Sequence, residues 1–325
     1  MGRWVLLVHG DSDGVCSGAL MYGFLRRKNI EPQVYFTHPA DLAKDLREFT
    51  RNGDNIFIAD IALSETNLEE IVEVLRERSR YGEVIYIDHH PEPLEFKPGE
   101  IPHTVLVHDL CCSASELTFR SLEEQGFDQD YSRVALYGAI GDYVDETPWV
   151  KKVIEDWDKR AIYYEAGVLI QGLEGSRREY DFKRRVVVLL GRNDLPSNDP
   201  ELLLRAVVQS RRDEELRLWV RENVQVYGEV AFVSNPHGSV GRAATYARVY
   251  GGKPVGLAYE RRNNKLVMSL RAVKGIDLNT ILRRITREIG GSGGGHASAA
   301  GARIEASKFE IFLELLNRYI LSYKG

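Results

Sequence analysis

Three apolar runs in the first ninety residues each end on an acidic or histidine residue. Trp4-Val5-Leu6-Leu7-Val8 leads into His9-Gly10-Asp11-Ser12-Asp13-Gly14, Asn55-Ile56-Phe57-Ile58-Ala59 into Asp60, and Glu83-Val84-Ile85-Tyr86-Ile87 into Asp88-His89-His90. Continuous apolar runs of this length read as strands buried on both faces. Helical patterns at 17–28, 41–51 and 65–79 lie between and around them, the last with Leu68, Ile71, Val72 and Leu75 on one face and Ser64 as its cap. Further strands are expected at 33–36 and 103–107. This alternation predicts an α/β fold whose N-terminal sheet is mostly parallel, with helices on both faces. Such sheets bind ligands at the carboxyl ends of their strands, and all three clusters fall on that edge.

Beyond it, helices are expected at 114–125 and 131–144, the second carrying Gly141-Asp142, followed by a helical stretch rich in Arg and Glu over 150–224. Strands return at Glu229–Val233, Pro254–Glu260 and Lys265–Ala272, then a helix at 277–289, the tract Gly290-Gly291-Ser292-Gly293-Gly294-Gly295-His296, a strand near Ala302–Glu305 and a helix at 308–322. A chain of 325 residues more readily forms two domains than one. The expected division is a metal-binding catalytic domain over 1–150, a helical connector over 151–224 and a smaller mixed-sheet α/β domain over 225–325, with a catalytic cleft between the two lobes.

Charge follows the same division. Residues 1–150 carry 13 Lys and Arg against 27 Asp and Glu, whereas 225–325 carry 15 against 7. An acidic half suits cations and a basic domain suits a polyanion. The three cysteines, Cys16 and the neighbours Cys111 and Cys112, make no disulfide framework and point to a reducing, cytoplasmic setting. No apolar stretch reaches the length of a membrane span, so no membrane partner is expected.

Carboxylates mixed with a few imidazoles suit manganese or magnesium better than structural zinc. Asp11 and Asp13 are placed to take different ions, and Asp60, arriving on a central strand, to bridge them. Two such ions activate water and neutralise a phosphoryl oxygen, which is the chemistry of phosphate-ester hydrolysis. Blander roles compete residue by residue: a strand-end histidine at His9, helix caps at Asp11 and Asp13, a serine cap at Ser113. Asp88-His89-His90 behind one strand resists any such reading, because three ionisable groups would need compensation in one place.

Together these motifs resemble the DHH phosphoesterase superfamily. The paired aspartates before Gly14, the lone Asp60, the Asp88-His89-His90 tripeptide and Asp142 within Gly138-Ala139-Ile140-Gly141-Asp142 occur in the family's order. Val267–Arg271, Ile276-Asp277-Leu278 and Gly293-Gly294-Gly295-His296-Ala297-Ser298-Ala299-Ala300-Gly301 resemble its DHH-associated domain, and the whole is similar to RecJ-like archaeal nucleases of the Hef-associated type. The resemblance implies metal binding by Asp11, Asp13, Asp60, His89 and Asp142, with His90 facing the substrate phosphate and Asp88 orienting its neighbours. His9 stands two residues before Asp11, where some branches place a histidine four before, so direct ligation and support from behind both stay open. Ser113 and Ser115 are expected to meet phosphate at a helix start. Gly294, Gly295 and His296 are expected to present amides, a helix dipole over Ala297–Ala300 and an imidazole to an anion, with Arg271 holding a second phosphate.

The implied activity is a two-metal exonuclease on single-stranded DNA or RNA, 3′ to 5′ favoured, using two Mn2+ ions, with Mg2+ or Co2+ as substitutes and a DNA-repair or replication protein as a possible partner. The alternatives are an oligoribonuclease or cyclic-dinucleotide phosphodiesterase acting on very short substrates, and, further off, a non-catalytic scaffold.

Overall fold

The structure, a computed structural model, describes residues 2–64, 67–93, 104–176 and 178–322. It divides into two compact units, Met1–Gln209 and Ser210–Gly325. In the first, β1 (Trp4–Val8), α1 (Ser12–Arg27), β2 (Gln33–Phe36), α2 (Leu42–Phe49), β3 (Asn55–Ala59), α3 (Leu68–Arg78), β4 (Val84–Asp88) and β5 (Thr104–His108) precede the helices α4 (Ala114–Glu123), α5 (Ser132–Gly141), α6 (Pro148–Val153), α7 (Lys159–Glu174) and α8 (Tyr180–Gly191). The strands form a wholly parallel sheet in the order β2-β1-β3-β4-β5.

The apolar runs are unbroken because both sheet faces are covered. Leu6, Val8, Phe57 and Ala59 pack in one core with α1, α4, α5, α7 and α8, and Val5, Leu7, Ile56 and Ile58 in another with α2 and α3. The chain steps from β1 to β2 in one direction and returns to β3 in the other, so the topological switch point lies between β1 and β3. Helices α7 and α8 belong fully to the first core, through Ile162, Leu169, Phe182, Val186, Val187 and Leu190.

Arg3 and Asp54 pin the amino edge of this sheet. Arg3 donates from Nε and Nη2 to the two Asp54 oxygens at 3.2 and 2.6 Å, and the Arg51 amide adds a third bond at 2.8 Å. Burial pushes the Asp54 carboxyl up, but these donors outweigh it and hold it below its ordinary value. A depressed folded value means stability that is present above the unfolded carboxylate pKa and lost as pH falls through the folded one. Asp54→Asn is expected to cost about 1–2 kcal/mol at pH 7, part of the pair being solvent-screened. Urea unfolding at pH 7 and at acid pH should show that difference shrinking on acidification.

Helix α9 (Pro200–Asn223) begins in the first unit and ends in the second. There β6 (Gln225–Tyr227), β7 (Val230–Ser234), α10 (Val240–Gly251), β8 (Val255–Arg262), β9 (Lys265–Ala272), α11 (Leu278–Ile289), β10 (Ser292–Gly295), β11 (Ala299–Glu305) and α12 (Phe309–Ser322) form a mixed six-stranded sheet ordered β10-β11-β9-β8-β7-β6. α11 and α12 cover one face, with Ile281, Ile285, Phe312 and Leu316 over Leu257 and Leu270. α10 and the end of α9 cover the other, with Ala243, Ala247 and Val220 against Val233 and Ala258.

Two local expectations need correcting. Ala297–Ala300 does not open a helix: Gly295 pairs with Ala300, and the His296 amide donates to Ala299 O at 2.9 Å, closing a hairpin around Ala297 and Ser298. β9 offers β11 a full-length edge, from Ala299↔Arg271 to Glu305↔Lys265, and that ladder outweighs the helix propensity of a short alanine-rich stretch. Helix α3 starts at Leu68 with Asn67 as the preceding residue rather than with Ser64 as cap, and residues 65–66 lie outside the described ones. Helix α10 and strand β6 lie outside those expectations, and the glycine tract, expected as a loop, contributes strand β10 paired with β11. None of the described helices is long and apolar enough to cross a membrane.

Candidate metal centre

The loaded ends of β1, β3 and β4 meet at the switch point. Asp11 caps α1, its Oδ1 accepting from the Gly14 amide at 3.1 Å while Oδ2 lies 2.7 Å from His9 Nδ1. A side chain at Gly14 would collide with the His9 backbone, so glycine lets the helix start directly against the strand end. Asp13, in the first turn of α1, is fully buried and accepts from the Ala114 and Ser115 amides at 2.7 and 3.0 Å. The free amides at the start of α4 are therefore spent on an aspartate of the protein itself. Ser113 caps α4 by accepting from the Glu116 amide at 3.1 Å, and Ser115 Oγ donates to Ala135 O at 3.0 Å. Both serines are fully buried, so the expected phosphate contacts at Ser113 and Ser115 give way to the support of Asp13.

Asp60 sits at the centre, 2% exposed, its amide bonded to Ile87 O and its backbone left-handed at φ 61°. Aspartate tolerates that region better than most residues, and the turn keeps the carboxylate at the strand end. His89 Nε2 lies 3.2 Å from Asp142 Oδ2, 3.3 Å from Asp60 Oδ1 and 3.7 Å from Asp13 Oδ2. His90 Nδ1 lies 2.8 Å from Asp88 Oδ1 and 4.0 Å from Asp60 Oδ1. Asp142 ends α5, its amide donating to Gly138 O.

Among the described residues of the first unit three donor groups result, Asp13–Asp60–His89–Asp142, His9–Asp11–Asp60 and Asp60–Asp88–His90, and all share Asp60. The first two collect the residues expected to bind metal, and the third is the Asp88–His90 pair behind Asp60. Such crowding shifts the protonation of Asp13, Asp60 and His89. Burial, then the charge of Asp142, lifts the Asp13 carboxyl to about 6. Burial and the Asp11 charge push Asp60 well above the ordinary carboxylate range. Burial pushes the His89 imidazole down, yet its bonds to Asp142 and Asp60 carry it up to about 12. Burial likewise opposes ionisation of Asp11 and Asp88, but His9 and His90 respectively hold them below their ordinary values. Asp60 Oδ2 is buried with no hydrogen-bond partner among the described residues. Hard oxygen donors, a few imidazoles and an orphaned buried carboxylate oxygen fit a pair of divalent cations such as manganese or magnesium.

Sequence reasoning missed the residue that fixes the β1–α1 loop. Lys183 of α8 is 5% exposed, donates from Nζ to Gly10 O, and has its ammonium pushed down by burial. The signal was present, since Lys183, Val186, Val187 and Leu190 share one helical stripe and a lysine on an apolar stripe needs a polar target. Gly138 carries a second constraint, because a Cβ there would strike Ser115 Oγ and Asp13 Oδ1. Gly138→Ala is expected to shift Asp13 and weaken manganese binding about 10- to 100-fold, the range for disturbing a group that orients a ligand. Titration calorimetry on the folded variant checks it.

Arg271, Gly294, Gly295 and His296 belong to the second unit. Arg271 pairs with Ala299 across β9 and β11, three positions from His296, and its Nη1 donates to Leu270 O at 2.9 Å. The Gly295 amide donates to Asn279 Oδ1 at 3.2 Å.

Comparison with known proteins follows these two units. Residues 4–141 match the model of the DHH family, N-terminal domain, and residues 227–322 that of the DHHA1 domain. No sequence among the curated proteins matches the chain significantly. Among solved structures, RecJ of Thermus thermophilus in complex with Mn2+ is similar at a TM-score of 0.69 and 16% identity, over 98% of this chain and 52% of that one. The chain thus spans about half the length of that RecJ. An exonuclease RecJ bound to manganese gives a TM-score of 0.66 at 17% identity, over 98% and 89% of the two chains. A pGpG-specific phosphodiesterase, PggH of Vibrio cholerae, gives 0.60 at 14%, over 98% and 99%. At these identities the likeness is one of fold: a parallel five-stranded unit followed by a mixed six-stranded one.

Proposed function

Because the chain belongs to the DHH family of phosphoester hydrolases and carries a DHHA1 domain, we propose that it is a manganese-dependent exonuclease acting on single-stranded nucleic acid. The observation that carries this reading is the pair of donor groups sharing Asp60. On this reading His9 and Asp11 would hold one cation, Asp13, His89 and Asp142 would hold the other, and Asp60 would serve both. A pair of cations bound there would supply an activated water and neutralise the phosphoryl oxygen. Asp88 fixes the ring of His90 through the 2.8 Å contact and so aims it at the substrate phosphate. The second unit offers a strand its basic surface, 15 Lys and Arg against 7 Asp and Glu over 225–325. Arg271 and His296 grip the phosphates there, the Gly295 amide being held by Asn279 Oδ1 in a strand beside them, and binding weakens steeply with salt. The exposed free thiol of Cys111 and the buried ones of Cys16 and Cys112 agree with a reducing cytoplasm.

A second reading, a phosphodiesterase for dinucleotides and other very short substrates, draws on the likeness to PggH, which this chain covers at nearly full length. One length ladder of end-labelled single-stranded DNA and RNA, run with manganese, separates the two. Stepwise shortening of a 20-mer is expected, and the labelled end gives polarity. Turnover of dinucleotides alone would transfer the assignment to the second reading, and turnover of neither would sink both.

A further inference from the structure

A fourth strand of the parallel sheet also ends on a histidine. β5 runs Thr104-Val105-Leu106-Val107-His108, and its register sets His108 opposite Asp88 at the carboxyl end of β4. A polar side chain largely buried at the end of an apolar strand needs a polar target. His108 has one. Its Nε2 lies 2.6 Å from the main-chain oxygen of His90, and because a carbonyl only accepts, that nitrogen is the donor. The side chain is 19% exposed, and its other nitrogen, Nδ1, stands 3.9 Å from Glu92 Oε1, too far for a hydrogen bond.

The bond falls where the chain has left the strand ladder. Asp88 is the last residue of β4 to pair with β5, and the next residue after His90 is Pro91, which has no amide to donate. The proline biases His90 towards extended backbone but does not fix where its peptide sits. His108 supplies that hold from the neighbouring strand. The ring of His90 has its own, through Asp88 Oδ1 at 2.8 Å from Nδ1. Asp88, His90 and His108 line one small cavity with Tyr86 and Leu106, so hydrogen bonds do the fixing there that close packing does not.

We infer that His108 is a positioning residue: it holds the main chain of His90 while Asp88 holds the ring, and together they keep that imidazole aimed at the reacting phosphodiester. The inference rests on the reading of His90 as the residue that faces the substrate phosphate. His108 itself touches neither substrate nor cation and acts only through His90. A displacement of about 1 Å in a reacting group costs up to about 100-fold in rate. An effect of this kind falls on kcat, because it bears on the transition state more than on substrate binding.

Two variants of similar size separate the hydrogen bond from packing, each assayed with manganese on an end-labelled single-stranded 20-mer and on a dinucleotide. His108→Leu fills the space without a donor and should lower kcat by about 10- to 100-fold, with KM and the calorimetric manganese affinity unchanged. His108→Gln, whose side-chain amide can donate to His90 O, should recover most of that loss while melting at the same temperature as His108→Leu. In a His90→Ala background, His108→Leu should cost nothing further, because the residue it acts through is gone. Losses that multiply in the double variant, a loss of manganese affinity in place of kcat, or equal kcat in the parent and His108→Leu would overturn the role of His108 and leave the hydrolase reading intact. Turnover of neither substrate by the parent protein would remove that reading and this inference with it.

Discussion

Asp60→Asn is expected to abolish hydrolysis while leaving the metal-free protein at least as stable as the parent. The carboxylate is common to the two donor groups expected to bind metal, so its loss would affect both cations at once. Metal-borne stabilisation of the reacting phosphoryl group amounts to several kcal/mol, and kcat/KM should fall by on the order of 10³-fold or more. Stability should move the other way. Burial and the neighbouring Asp11 push the Asp60 carboxyl well above its ordinary range, so its ionised form burdens the metal-free fold near neutral pH. The sign follows from linkage: a carboxyl raised on folding erodes stability as pH climbs from the unfolded value towards the folded one. Asparagine carries no such charge and tolerates the left-handed φ of 61°, whereas Asp60→Ala would add a backbone penalty of about 1 kcal/mol. Activity assays in manganese, calorimetric metal stoichiometry and melting in chelator check the three parts. Full turnover by Asp60→Asn in added manganese would remove the shared-ligand scheme.

His89→Ala should abolish activity as thoroughly, but with the opposite effect on the metal-free fold. Its ring, 1% exposed, lies within 3.7 Å of Asp13, Asp60 and Asp142. Although burial pushes the imidazole down, the bonds to Asp142 and Asp60 raise it to about 12, so it stands as the counter-cation of the cluster when no metal is bound. A histidine raised on folding contributes stability that is complete below its unfolded pKa and is lost only as pH rises through the folded value. Removing it at neutral pH leaves buried carboxylates without their partner, which costs about 3–5 kcal/mol. Melting in chelator should fall for His89→Ala and hold or rise for Asp60→Asn, and added manganese should narrow the difference. Equal melting of the two variants in chelator would show that the histidine carries no charge there.

The parallel sheet and its loaded edge were legible because a wholly buried strand has to be apolar along its length, so a polar residue at its end stands out. Asp60 and the Asp88-His89-His90 tripeptide are read from that contrast alone. Ser113 and Ser115 were harder, since a helix start offers its amides equally to a phosphate or to a carboxylate of the protein. Only the packing of α4 against α1 shows that Asp13 takes them. The stretch after His296 deceived for another reason. Small residues are compatible with a helix and with a close-packed strand alike, and the choice was made by β9, whose pairing partner lies some thirty residues away. Lys183 was hidden by distance as well, 173 positions along the chain from the carbonyl it meets.

That long-range bond, together with the burial of Phe182, Val186, Val187 and Leu190 beside β1, also sets an order of events during synthesis. Every acidic donor of the centre has been translated by residue 142, but the helix that closes the core over them and steadies Gly10 arrives only with residues 180–191. At about 5–20 residues per second the nascent β1–α1 loop waits roughly ten to thirty seconds for Lys183. During that interval the growing polypeptide shows the ribosome's surroundings an uncovered apolar face and a knot of carboxylates. A chain stopped near residue 150 would keep both exposed for good.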